Sequence, residues 1–97
     1  MFRITSGKGF HITFPNGVTL STQIGWGNYC SNYGFKGSYE EMATKNSWES
    51  HDCEIAIWNK DGNWITNKIV EDCDQVKGYI EIEEWLKIFD KCKRYKK

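Results

Sequence analysis

The sequence has no excess charge of either sign and no long apolar run. Its 13 lysine and arginine residues balance 13 aspartate and glutamate residues, so the formal net charge is zero. A nucleic-acid-binding domain usually carries a basic excess, so we expect no nucleic-acid partner. No segment is long and apolar enough to cross a bilayer, and residues 1–14 lack the apolar region of a signal peptide. We therefore expect a cytoplasmic protein without a membrane partner.

Metal-binding and redox motifs are also missing. The four cysteines are far apart and form no C-x-x-C pair. Cysteines in a cytoplasmic protein are normally reduced thiols, and zinc sites normally place their ligands closer together. The nearest approach to a ligand cluster is the run His51-Asp52-Cys53. We expect neither a metal site nor a cofactor.

A chain of 97 residues predicts one domain, residues 1–97. Aromatic residues make up 15% of it and include five tryptophans. That supply is large for so small a domain. It is enough to fill a core and to leave some rings for a surface site.

Alternation of apolar and polar residues predicts a first β-hairpin. Residues 10–14 and 18–24 both alternate, and the turn between them places Gly17 where a left-handed conformation closes a bulged hairpin loop. A three-residue loop sets Ile12 opposite Leu20, so apolar residues face apolar residues. A two-residue turn would mix the faces and is disfavoured.

A similar pattern predicts a second hairpin. Residues 53–58 form its first strand, and residues 64–66 begin its second strand after a glycine-containing turn. Both faces near this turn are apolar, so either both are covered or one is a binding surface. The register yields the cross-strand pairs Trp58–Trp64, Ile57–Ile65 and Glu54–Lys68.

The end of the chain predicts a short strand and an amphipathic helix. Residues 76–80 form the strand, and residues 81–95 form the helix, with acidic residues in its first turn and basic residues in its last. We expect its apolar stripe to pack on the sheet. The predicted fold is α+β: an antiparallel sheet of two hairpins and a short strand, with one C-terminal helix packed on it. The stripe consists of Ile82, Trp85, Leu86, Phe89 and Cys92.

The segment 25–37 has the composition of a recognition loop. Its glycines allow close backbone approach to a partner, and its aromatic rings supply contact area. Its asparagines can form hydrogen bonds with polar groups of a ligand or partner. The Trp58/Trp64 pair adds a second aromatic candidate. The same rings can instead fill a gap between sheet and helix. The candidate ligand- or partner-binding residues are Trp26, Asn28, Tyr29, Asn32, Tyr33, Phe35, Trp58 and Trp64.

No complete catalytic set accompanies this loop, so we expect a protein that is not an enzyme. The strongest enzymatic alternative is a thiol-dependent hydrolase in which Cys30 is the nucleophile and His11 or His51 the base. A reactive thiolate needs a neighbouring cation or helix N-terminus, and the sequence places neither beside Cys30. The Gly25-Trp26-Gly27 run is too short a motif to predict phosphate binding.

One block of the sequence begins with Phe10-His11-Ile12-Thr13-Phe14 and another with Glu54-Ile55-Ala56-Ile57-Trp58. Together the two blocks resemble a family of short uncharacterised proteins carried by phages and other bacterial mobile elements. The blocks cover about half of the chain. The first is Phe10-His11-Ile12-Thr13-Phe14-Pro15-Asn16-Gly17, followed by Ser21, Gln23, Gly25 and Gly27-Asn28-Tyr29-Cys30. The second is Glu54-Ile55-Ala56-Ile57-Trp58 with Asp61-Gly62-Asn63-Trp64.

This resemblance implies an accessory protein that acts against a bacterial host, as anti-CRISPR proteins do. The expected function is inhibition of an antiviral defence system by non-enzymatic binding of a defence protein in the host cytoplasm. An alternative is sequestration of a nucleotide-like immune signal, which a homo-oligomer could capture. A neutral chain with Lys36 as the one cation of the loop favours the protein target over a strongly anionic ligand. A structural or regulatory phage protein is a third reading.

Overall fold

The computed structural model describes residues 1–96, which form a five-stranded antiparallel sheet and three helices. The strands follow chain order, β1-β2-β3-β4-β5, and the longest helix, α3, packs against β3 and β5. The predicted α+β fold with a C-terminal helix on the sheet is confirmed. No helix within these residues is long and apolar enough to span a bilayer. The elements are β1 (Phe2–Thr5), β2 (Gly9–Thr13), β3 (Thr19–Gln23), α1 (Tyr39–Thr44), β4 (Asp52–Trp58), α2 (Thr66–Ile69), β5 (Val76–Glu81) and α3 (Ile82–Arg94).

The first hairpin has the predicted register. Ile12 pairs with Leu20, and Gly17 has a φ of 86° while its N–H donates to the Phe14 carbonyl over 2.8 Å. The sequence analysis missed β1, which adds one more antiparallel strand at the edge. β1 turns into β2 through Ser6 and Gly7, which both have positive φ. The sheet therefore has one more strand on this side than predicted.

The second predicted hairpin ends after one bridge. Trp58 and Trp64 pair as expected, and the Ile65 N–H donates to the Ile57 carbonyl over 2.9 Å. The chain then turns into α2, because the buried Thr66 hydroxyl bonds to the Ile57 backbone and to the Gln75 carbonyl. The predictions of a fourth strand beginning at residue 64 and of the cross-strand pair Glu54–Lys68 were therefore wrong.

The core lies between α3 and one face of β3, β4 and β5. Its fully buried side chains include Leu20, Ile55 and Ile57. On α3, Ile88 and Cys92 are buried, whereas Ile82 and Leu86 are exposed. The prediction that the whole apolar stripe packs on the sheet was thus wrong for Ile82 and Leu86, because the side of α3 that faces the sheet is the one that carries Ile88 and Cys92.

The turn of the first hairpin is tied to the end of α3 by Asn16. Its side-chain amide donates to the carbonyls of Cys92 and Tyr95 over 2.9 and 3.1 Å, and its Oδ1 accepts from the Val18 N–H. The last carbonyls of a helix lack partners within the helix, so these bonds act as a C-terminal cap. One side chain therefore fixes the helix relative to the hairpin.

We expect Asn16→Ala to lower the free energy of unfolding by about 1 to 2 kcal/mol, because it removes the cap and the turn bond together. Asn16→Asp keeps the acceptor for Val18 but points a carboxylate at the negative end of the helix dipole. Urea unfolding should therefore show Asn16→Asp at least as destabilised as Asn16→Ala. A fully stable Asn16→Asp variant would show that the cap contributes little.

Candidate functional site

Two asparagines fold the aromatic loop, residues 25–37, onto itself and onto the sheet. Asn28 accepts from the Gly25 N–H over 2.9 Å and donates to the Glu54 carboxylate over 3.2 Å. The Asn32 amide donates to the carbonyls of Ile24 and Glu49 over 2.6 and 2.8 Å. The amide groups of both predicted site residues are therefore engaged within the chain.

The loop is also attached to the sheet through its backbone. The Tyr79 N–H donates to the Tyr29 carbonyl over 2.8 Å, and the Tyr29 N–H donates to Glu54 over 3.3 Å. The β4–β5 register shifts opposite Glu54, and Tyr79 has a φ of 55° there. A β-bulge of this kind redirects backbone groups out of the ladder. Here it presents an N–H to the loop.

Asp52 anchors the loop at a further point. Its carboxylate accepts from the N–H and the hydroxyl of Ser31 over 2.6 and 2.8 Å, and from the Ser50 hydroxyl over 3.0 Å. Burial raises the pKa of this carboxyl, but the hydrogen bonds from Ser31 and Ser50 outweigh it and hold the pKa below its ordinary value. The ionised carboxylate therefore belongs to the folded loop at neutral pH.

Tyr29 and Tyr33 are the most prominent exposed rings of the anchored loop. They stack with ring centroids 5.4 Å apart and an angle of 17° between their planes, and they are 46% and 52% exposed. Because the backbone beneath them is hydrogen-bonded to the sheet, a partner would meet an already ordered pair. Two rigid rings of this kind are suited to filling a pocket on another protein.

Trp26 and Phe35 lie in a different part of the loop, beside α1. The Lys8 ammonium lies 5.1 Å from the Trp26 ring centre, and the Lys45 ammonium lies 5.0 Å from that of Trp48. Phe35 meets Trp48 edge to face. We call the adjoining cavity of about 250 Å³ the lysine–tryptophan cleft; it is lined by Ser6, Lys8, Trp26, Tyr39, Met42, Ala43, Lys45 and Trp48. Sequence reasoning missed its lysines, since they lie outside the loop on either side.

Trp58 and Trp64 form a third group with His11, at the other end of β4 from Glu54. The Trp58 ring meets His11 at 5.0 Å and Trp64 at 5.4 Å, both edge to face. Trp58 follows Glu54 by four positions, which is about 13 Å along a strand. The structure therefore divides the predicted site residues among three places instead of bringing them into one pocket.

The His11–Trp58 contact spans β3 on the face of the sheet opposite α3. His11 belongs to β2 and Trp58 to β4, and the intervening Thr19 and Ser21 are buried beneath the two rings. Burial, together with the nearby Arg3 charge, lowers the pKa of His11 from its ordinary value of 6.5. The neutral imidazole is therefore the form that the folded protein favours.

We expect the free energy of unfolding to fall as the pH decreases from about 7.5 to about 5.5, because the unfolded chain protonates His11 before the folded chain does. The His11→Gln variant should lose this part of the pH dependence. The exposed His51 provides a matched control, and His51→Gln should retain it. Equal pH dependence in wild type and His11→Gln would contradict the assignment.

The thiols of the described chain are largely buried. Cys30 is 1% exposed, and its sulfur interacts with the Gly25 carbonyl and the Asn32 N–H instead of a histidine. Burial raises the pKa of Cys53 and of Cys92 to about 12, so these two are unreactive at neutral pH. Within residues 1–96, no group of three or more metal-ligating side chains is placed to hold an ion.

No protein-family model, curated protein or solved structure matches this chain.

Proposed function

We propose that this chain is a small phage-encoded binding protein that inhibits a bacterial antiviral defence system by contacting a defence protein. The observation that carries the proposal is the exposed Tyr29/Tyr33 stack on a loop that hydrogen bonds hold to the sheet. Ordered aromatic side chains lose little entropy on binding and are common energetic centres of interfaces. The phage assignment rests on the sequence resemblance.

The arrangement supports a protein target in two ways. The Tyr29/Tyr33 stack is about half exposed, so its rings are accessible to a pocket on a partner. Trp58 lies on the same strand as the loop's anchor, Glu54, and only about 13 Å from it, so a partner of ordinary size can touch both aromatic groups.

Phage plating on defended bacteria tests this function. A panel of strains, each carrying one defence system, would express the chain from a plasmid and be challenged with a phage that the system restricts. We expect the plating efficiency of the phage to rise at least about a hundredfold in one strain, because binding would remove an essential defence protein from its free pool. Uniform restriction across a panel that covers the host's own systems would contradict the proposal.

A second candidate function is sequestration of a nucleotide-like immune signal in the lysine–tryptophan cleft. The observation in its favour is chemical: aromatic rings can stack on a base while Lys8 and Lys45 meet a phosphate. This reading predicts that a cyclic oligonucleotide or an ADP-ribose derivative raises the melting temperature of the protein. A Lys8→Ala, Lys45→Ala variant should lose that rise, whereas the protein-target reading predicts no rise with any such compound.

The thiol-hydrolase reading is the remaining alternative, and it has the least support. A nucleophile must reach its substrate, and the Cys30 sulfur is enclosed by the loop that contains it. Cys30→Ser distinguishes the readings. A binding protein should keep its anti-defence activity when the variant is folded, whereas a thiol enzyme should lose it.

A further inference from the structure

An exposed apolar surface lies on the side of the sheet that carries α3, away from the Tyr29/Tyr33 stack. Phe2 and Ile4 on β1 are each 81% exposed, and Ile82 and Leu86 on α3 are 69% and 54% exposed. A cavity lined by Ile82 and Leu86 and another lined by Ile4 share Phe10, Thr22 and Ile24, and together they form a groove between β1 and α3. We call these four side chains and the groove the apolar patch.

The patch is continuous because aromatic rings form its floor. Ile4 is the strand partner of Phe10, and the Phe10 ring lies 6.4 Å from the Trp85 ring, edge to face. The Trp85 ring lies 5.4 Å from the Phe89 ring. A cavity of about 300 Å³ opens beside this floor, and its apolar lining includes Ile24, Ile80, Ile82 and Leu86.

The size of the patch is that of an interface. At roughly 120 Å² of exposed apolar area per side chain, its four main residues present about 500 Å². The largest contiguous apolar patch on a monomeric protein is about 300 to 600 Å² and is often a functional surface, and a stable complex buries about 800 Å² per partner. Polar residues around the rim would supply the remainder.

The charges along α3 favour a second copy of this chain over an unrelated partner. Glu83 and Glu84 lie in its first turn, and Lys91, Lys93 and Arg94 lie in its last. Lys93 follows Leu86 by seven residues and therefore shares its side of the helix. Glu83 precedes Leu86 by three residues and so adjoins it too, whereas Glu84 and Lys91 line a groove beside α2. When two such helices pack antiparallel, Glu83 of each lies opposite Lys93 of the other. The net charge of zero adds no overall repulsion between copies.

We propose that the chain forms a symmetric homodimer in which two apolar patches pack face to face, with the two α3 helices antiparallel at the two-fold axis. Leu86 and Ile82 then cover the partner's groove, and Glu83 faces the partner's Lys93. The interface is self-complementary, as a two-fold axis requires. Both Tyr29/Tyr33 stacks stay exposed, so each dimer presents two copies of the proposed binding site.

Sedimentation equilibrium of the full chain tests the dimer. We expect wild type to be dimeric at micromolar concentration, and Leu86→Lys or Ile4→Lys to raise the dissociation constant at least about tenfold. Tyr33→Lys is the matched control, because Tyr33 is exposed to nearly the same extent as Leu86 but lies on the aromatic loop. It should stay dimeric, and circular dichroism should show all three variants folded.

A charge exchange tests the antiparallel arrangement. Lys93→Glu should weaken the dimer several-fold, and the double variant Glu83→Lys, Lys93→Glu should restore it. Monomeric wild type at high micromolar concentration would overturn the proposal and leave the patch to a different protein. A dimer that withstands both Leu86→Lys and Ile4→Lys would overturn it too. Neither outcome changes the plating result expected for the proposed function.

Discussion

Replacing both Tyr29 and Tyr33 with alanine should abolish the proposed anti-defence activity while leaving the fold intact. The two rings stack and are about half exposed, so their loss removes contact area but no part of the buried core. A pair of aromatic centres typically contributes about 3 kcal/mol or more to binding, which is about a hundredfold or more in affinity. Loss of the stack itself should cost only about 1 kcal/mol of stability.

Tyr39→Ala is the control for this double variant. Tyr39 is a more exposed tyrosine on α1, and it lines the lysine–tryptophan cleft instead of the stack. If the target is a protein bound by the stack, Tyr39→Ala should keep the activity. If the target is a nucleotide-like signal held in the cleft, the pattern should reverse, with Tyr39→Ala impaired and the double tyrosine variant active.

Replacing Gly78 with alanine should both destabilise the protein and detach the aromatic loop. A Cβ at position 78 would overlap the Tyr29 Cβ and lie 2.7 Å from the Tyr29 carbonyl oxygen. That carbonyl is the acceptor for the Tyr79 N–H, so the added methyl group pushes apart the two backbones that the bond joins. We expect a loss of about 1 to 3 kcal/mol, typical of overpacking at a fixed site.

Gly34→Ala is the matched control for Gly78→Ala. A Cβ at Gly34 meets no atom within 4 Å, and its φ is not positive, so the substitution should be neutral or slightly stabilising. Hydrogen exchange gives the more specific readout, because Gly78→Ala should raise the exchange rate of the Tyr79 amide beyond that of the core strands. Unchanged Tyr79 exchange in Gly78→Ala would mean that the loop is not attached through this bond.

Local patterns were sufficient to predict the elements whose structure depends on near neighbours. The alternation on both sides of Gly17 identified β2, β3 and their register, and the charge gradient with apolar spacing identified α3 to within a residue at each end. These features are determined by turn geometry and by which face is apolar. Both properties can be read from a single sequence.

The errors arose where hydrogen bonds and packing between elements decided the outcome instead of the local pattern. The strand predicted after Trp64 became α2 because Thr66 bonds to Ile57 and Gln75. Leu86 is exposed because of the way α3 is rotated and placed on the sheet. The periodicity of a helix in the sequence does not determine that placement.

The candidate site was predicted in composition but not in arrangement. Its exposed rings were named in advance, whereas the internal bonds of Asn28 and Asn32 and the positions of Lys8 and Lys45 depend on how the loop returns to the sheet. Glycine and asparagine permit many loop paths, so composition alone could not select this one.

The most direct test of the proposed function is the plating efficiency of one restricted phage on one defended strain that expresses wild type, the double tyrosine variant or Tyr39→Ala at equal soluble levels. The proposal predicts that wild type and Tyr39→Ala restore plating, and that Tyr29→Ala combined with Tyr33→Ala does not. Restored plating by the double tyrosine variant would contradict the assignment of the stack as the surface that binds the defence protein.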